Sequence, residues 1–232
     1  MPMHKLEHIA EQIRQAFDTQ TVARDRALAQ ARVLTRHCAL AIRAVHRGET
    51  GATQEHLAEA SKLADTLRTE LAQYPDLYYA GYTQDALKEY AEASTTCALI
   101  KDQPLPTPEE LGVTHFTYLN GLAEAVGELR RRILDILRHG YSQEAEHLLI
   151  HMDDIFAVLV TMDYPDAITN GLRRQTDVAR GIIERTRGDV TFSLRGEHLE
   201  RSLAQLSARL AGEELPHDQS GTSLKTSEEQ EK

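Results

Sequence analysis

Residues 22–51, VARDRALAQARVLTRHCALAIRAVHRGETG, decide the fold class. Val22, Ala27, Leu28, Ala31, Leu34, Cys38, Ala41, Ile42 and Val45 recur mainly at three- and four-residue intervals, the period of a helix that buries one face. The run stops at HRGETG, where glycines supply the backbone freedom that ends a helix. No two-residue alternation of the kind a strand requires interrupts it. The spacing predicts one long amphipathic helix from Val22 to Val45.

Working outward, further helices are expected at Gln54–Gln73, Gln84–Lys101, Thr114–Arg138, Gln143–Thr161, Ala167–Arg187 and Asp189–Ala211. Tyr74-Pro75, the loop DQPLPTPEELG, Gly140, Pro165 and Gly188 separate them. Within the loop, Thr107 followed by Pro-Glu-Glu reads as a short capped turn. Successive helices joined by short turns predict an all-α bundle of about six or seven helices over residues 1–211. The remainder, GEELPHDQSGTSLKTSEEQEK (212–232), is too polar to bury much surface and reads as a disordered acidic tail.

Composition agrees with a helical bundle: of 232 residues, 41% are hydrophobic, 27% charged and 5% aromatic, with no Trp. A chain of this length can fold without disulfide or metal staples. Its two cysteines, Cys38 and Cys97, lie in apolar stretches and suit a reducing, cytoplasmic setting. No basic leader precedes an apolar run, and no long uninterrupted apolar segment exists, so neither export nor membrane spanning is expected. The net charge of −10 excludes a protein whose whole surface binds nucleic acid, but not a local basic groove.

Such a groove has a candidate. Arg32, Arg36, Arg43 and Arg47 fall within about 60° of arc on the first helix and form a basic stripe. A stripe of this kind either makes ion pairs with neighbouring helices or tracks a phosphate backbone. His46 lies beside it as a candidate phosphate contact, although a lone helical histidine is more often structural.

Two acidic pairs stand out as well. Glu89 and Glu92 are i, i+3 in DALKEYAEA, and Glu124 and Glu128 are i, i+4 in GLAEAVGELRRR, so each pair shares one helix face. The second pair points away from the apolar stripe of Leu119, Leu122, Val126, Leu129, Ile133 and Leu137, which by itself favours a solvated acidic face. Against that, Gly121 and Gly127 allow close approach, and unpaired i, i+4 glutamates repel unless a cation lies between them. If the two helices face one another, four carboxylates converge on a hard-oxygen site suited to Mg²⁺ or Mn²⁺, ions that activate water for phosphodiester cleavage. Other chemistries fit poorly: only Glu144 with His147 matches a di-iron Glu-x-x-His pattern, and no zinc spacing, phosphate loop or Ser-His-Asp set is evident. Asp153-Asp154 and TMDYPDAI read as helix-end and turn chemistry.

From about Asp25 to Leu194 the chain resembles the translin and Trax family of single-stranded nucleic-acid-binding proteins, in its prokaryotic branch. The pieces that carry the resemblance are LKEYAEA around Glu89, YLNGLAEAVGELRR around Glu124, and MDYPDAITNGLRRQTDVARGIIERTRGD. The resemblance implies a seven-helix protomer, a closed octameric homo-oligomer, and binding of single-stranded RNA or DNA on the inner surface. Trax-type subunits use acidic residues to bind Mg²⁺ and cut single-stranded RNA, whereas translin-type subunits mainly bind. Glu89, Glu92, Glu124 and Glu128 fall on the acidic positions of the Trax motif. Glu124 stands where the family has an aspartate, which bears on metal geometry, and Thr117 stands where an aspartate usually opens the motif, which bears on a supporting hydrogen bond. The resemblance therefore implies a Trax-like Mg²⁺-dependent endoribonuclease. Its rivals are a non-catalytic translin-type RNA/DNA-binding protein and a helical scaffold with a protein partner.

Overall fold

The computed structural model describes residues 2–213, and among them there are helices and no strands. Six helices are long: α1 (Pro2–His46), α2 (Thr50–Glu70), α4 (Gly81–Ile100), α6 (His115–Leu137), α7 (Gln143–Val160) and α9 (Leu172–Glu213). Three single turns lie between them: α3 (Pro75–Tyr78), α5 (Pro108–Leu111) and α8 (Asp166–Thr169). The expected turn at Thr107 is α5, closed by a capping box in which Thr107 and Glu110 exchange hydrogen bonds. The tail expected at 212–232 lies, beyond Glu213, outside the described residues.

Two helices differ from expectation. α1 begins some twenty residues before Val22; its early apolar residues Met3, Leu6, Ile13 and Phe17 are exposed, so helix-forming composition rather than burial accounts for this extension. Gly188 does not break α9. It carries no positive φ, and a lone glycine among good helix formers costs only about 1 kcal/mol. The break comes earlier, at Asn170 and Gly171, both left-handed (φ 50° and 84°), with the Asp166 carboxylate accepting the Gly171 N–H.

One compact unit extends to Ser193 and contains the hydrophobic clusters. The other begins at Leu194, and its described part is helical, with Leu199, Leu203, Leu206 and Leu210 exposed. In the first unit, α1, α2 and α4 enclose a core of Leu34, Cys38, Leu67, Leu87 and Tyr90. A second core joins α6, α7 and the start of α9 through Leu129, Ile133, Met152, Leu172 and Ile183. Cys38 and Cys97 are free and buried, and burial pushes both thiols far up from their ordinary pKa. No described helix is long and apolar enough to cross a membrane.

α4 lies between the two cores, and its contact with α6 is unusually close. A Cβ placed on Gly121 would stand 2.8 Å from the Lys88 carbonyl oxygen and the Ala91 Cβ, and 2.9 Å from the Glu92 nitrogen. Only a residue without a side chain lets the two helices meet at this depth.

Candidate metal centre and basic stripe

Gly121, Glu124, Ala125 and Glu128 lie on one face of α6, within an arc of about 100° at the helical period. Because α4 packs on that face, the glutamates opposite the leucine stripe meet a second helix instead of solvent. Glu89, Glu92, Glu124 and Glu128 are all half-buried. One carboxylate oxygen from each of Glu89, Glu92 and Glu124 lies within 4.8 Å of the other two. Gly121 contributes the close approach anticipated for it; around Gly127 the space is open.

Glu124 is held on two sides. Lys88 Nζ donates to its Oε1 at 2.6 Å, and Gln175 Nε2, from α9, donates to the same oxygen at 3.0 Å. Lys88 also stands 3.9 Å from Glu89. Neither Lys88 nor Gln175 was singled out in the sequence, although Lys88 adjoins Glu89 in the motif.

Glu128 faces another partner. His46 Nε2 donates to its Oε2 at 2.6 Å, and Arg131 stands 3.5 Å away. This corrects the expectation for His46: its side chain is 4% exposed, turned inward onto the acidic cluster instead of joining the arginine stripe. Its Nδ1 is buried without a hydrogen-bond partner.

Charge is therefore crowded unevenly. Burial, followed by the charges of Glu89, Glu124 and Glu128, pushes the Glu92 carboxyl up to about 8. Burial, then Glu124 and Asp85, raises Glu89 as well. The His46 hydrogen bond outweighs burial and holds Glu128 below the usual carboxylate range. Burial opposes the charge on Lys88, but the hydrogen bond and charge of Glu124, with Glu89 and Asp85, raise its pKa overall. Glu92 thus keeps its proton at neutral pH, and an ammonium already rests on Glu124. The donors are all carboxylate oxygens, and the cluster is short of positive charge, so these residues fit a hard divalent cation such as Mg²⁺ or Mn²⁺.

Thr117, where the family motif opens with an aspartate, is buried and donates to Gln84 Oε1 at 2.6 Å; Gln84 in turn donates to the Tyr78 carbonyl. The hydroxyl thus ties α6 to α4 just before the acidic seam.

The stripe remains open. Arg32, Arg36, Arg43 and Arg47 are all exposed. Among the described residues only Arg47 has an acidic neighbour, Glu49 at 3.9 Å. The other three form no ion pair among the described residues. Asp153, read from the sequence as a helix-end residue, lies inside α7 and pairs with Arg187, whereas Asp163, in the turn after α7, pairs with Arg173.

No protein-family profile matches the chain. A relative described as "Uncharacterized protein MJ0175", from Methanocaldococcus jannaschii, is 32% identical over 190 residues, covering 79% of this chain and 84% of its own. The structure of AfC3PO, from Archaeoglobus, in complex with duplex RNA superposes with a TM-score of 0.75 at 32% identity, covering 80% of this chain and 96% of that one. Apo-NeC3PO, from Nematostella, has a TM-score of 0.73 at 22% identity, covering 79% and 96%, and shows the same fold. With identity above 30% over nearly the full length of an archaeal C3PO and the same helical architecture, the chain belongs to the translin/Trax family.

Proposed function

We propose that this chain binds RNA along the arginine stripe of α1 and cleaves it as a metal-dependent endoribonuclease at the α4–α6 seam. The observation that carries the reading is the convergence of Glu89, Glu92 and Glu124 within 4.8 Å, in surroundings that force a proton onto Glu92. A structural acidic face would remain in water and would not gather charge in this way.

Glu89, Glu92 and Glu124, with Glu128 as the fourth carboxylate, would hold Mg²⁺, which when bound supplies Lewis acidity for phosphoryl transfer. The chain's own residues do the rest. Lys88 and Gln175 fix the orientation of Glu124, and His46 fixes Glu128 beside Glu92. Glu92 would have to lose its proton to serve as a ligand, so cation affinity would rise as pH approaches about 8. Arg32, Arg36 and Arg43, which pair with no carboxylate among the described residues, would meet phosphates with little regard for base identity. The free, buried Cys38 and Cys97 suit a reducing cytoplasm, and the family resemblance supports a homo-oligomer, an octamer, acting on single strands. The duplex in the AfC3PO complex makes both strand states part of the test.

Purified protein is incubated with labelled single-stranded and duplex RNA, in Mg²⁺ or in EDTA. Cleavage should require Mg²⁺ and disappear in Glu124→Gln and Glu92→Gln. Cleavage at the wild-type rate in either variant refutes the site, and retention of RNA without cleavage by the wild type makes the chain a binding protein only. In a separate titration, Arg36→Ala with Arg43→Ala should weaken binding for all sequences and lower the slope of log affinity against log salt by about 2. An unchanged slope moves recognition off α1.

A further inference from the structure

The end of α4 carries a residue that local structure does not explain. Asp102 N–H donates to the Leu99 carbonyl and Gln103 N–H to the Ala98 carbonyl, closing the helix with Asp102 at the left-handed position (φ 51°). Glycine is the usual occupant of that position. Aspartate tolerates the backbone less well, and its charge sits at the negative end of the helix dipole. Both effects disfavour Asp102, so its value lies in what the carboxylate touches, which is His147 Nε2 at 3.5 Å.

His147 and His151 stand one turn apart on the same face of α7, with ring centroids 4.4 Å apart and the rings edge to face. One nitrogen from each ring and one oxygen of Asp102 lie within 4.8 Å of one another. Two ligand atoms that are each about 2.1 Å from a tetrahedral ion stand about 3.4 Å apart. The Asp102–His147 pair already has that separation. Exposed as these two side chains are, at 81% and 53%, rotation can bring the set together around an ion. His151 Nε2 is buried with no hydrogen-bond partner, a polar atom left without an internal role.

We propose that Asp102, His147 and His151 form a second metal site, for a borderline ion such as Zn²⁺, that ties the turn after α4 to α7. Two imidazoles and one carboxylate, leaving a coordination position for water, suit Zn²⁺ and are a poor match for Mg²⁺. Glu92 and Asp102 are separated by ten residues, about 15 Å along the helix at its ordinary rise, so this set is distinct from the carboxylate seam. One chain thus offers a soft-leaning site and a hard one, and each ion is directed by ligand chemistry. The proposal does not depend on nuclease activity.

The test uses chelator-treated full-length protein with Mg²⁺ in large excess to occupy the carboxylate seam. ZnCl₂ is titrated calorimetrically, and CoCl₂ in parallel by the visible absorption of low-coordinate cobalt. Wild type and Glu124→Gln should each bind about one zinc per chain, whereas His147→Ala, His151→Ala and Asp102→Asn should lose the isotherm or weaken it at least about tenfold. Asp102 and His147 are exposed, so their substitution spares the core, and the metal-free circular dichroism of each variant checks this. An unaltered isotherm in both His147→Ala and Asp102→Asn, or zinc binding lost in Glu124→Gln, overturns the site. Absence of zinc binding in the wild type overturns it as well and leaves a simple His147–Asp102 ion pair.

Discussion

The two clusters that α4 helps to build are opposites in construction. At its middle, Glu89 and Glu92 are pressed against Glu124 and Glu128 by a contact between helices, half-buried, with like charges in excess. At its end, Asp102 meets His147 and His151 across a turn, largely in water, with donors of mixed charge and type. The comparison teaches that burial, more than the number of acidic groups, sets the electrostatic character of a cluster. The buried set retains a proton at neutral pH, whereas the exposed set has solvent to screen its charges.

The largest effect should separate the two outright. Glu124→Gln should lower Mg²⁺-dependent RNA cleavage by about 10²–10³-fold, since a metal ligand serves several kcal/mol of transition-state stabilisation. The same change should leave the zinc isotherm intact, and His151→Ala should do the reverse. If one substitution abolishes both, the clusters are not independent.

Next comes stability against pH, measured as the melting temperature of cation-free protein. Glu92 ionises in the ordinary carboxylate range when unfolded and at about 8 when folded, so between those values the fold holds a proton that the unfolded chain has released. Stability should therefore fall as pH rises from about 5 towards 8, by at most about 1.4 kcal/mol per pH unit, and level off above that. Glu92→Gln should flatten this slope, and a slope that persists unchanged in the variant would place the retained proton elsewhere.

His46→Phe removes the donor to Glu128 while filling its buried space. It should weaken Mn²⁺ binding at the carboxylate seam by about 10–100-fold, the usual effect of losing a residue that orients a ligand. Unchanged Mn²⁺ affinity would mean that Glu128 needs no such support. Gly121→Ala should cost about 1–3 kcal/mol of stability from overpacking against α4. Its sign is decisive, because helix propensity alone would make alanine stabilising by about 1 kcal/mol.

Much of this was legible in the sequence because helical spacing is local. The core face of α1 from Ala27 to Val45, the arginine stripe and the shared face of each glutamate pair follow from a period of 3.6 residues, whereas Val22, counted in the same core face, is exposed. What periodicity could not supply was the identity of the neighbour. The face of α6 opposite its leucines reads as solvent until α4 is known to pack there. His46 reads as a surface residue until Glu128, 82 positions away, accepts its hydrogen bond. Asp102 and His147 are separated by a loop, a helical turn and the whole of α6, so no spacing rule joins them. Gly188 misled for a different reason: glycine marks a helix end only where the chain takes a positive φ, and here Asn170 and Gly171 do so.

The contact at Gly121 is made by a bare α-carbon against main-chain atoms, so no rotamer change can widen or narrow it. The carboxylates beside it can swivel, but the axes that carry them cannot part without unmaking the packing of two helices. The bore of this slot is machined into the backbone, so an ion held as proposed would have to suit its fixed gauge.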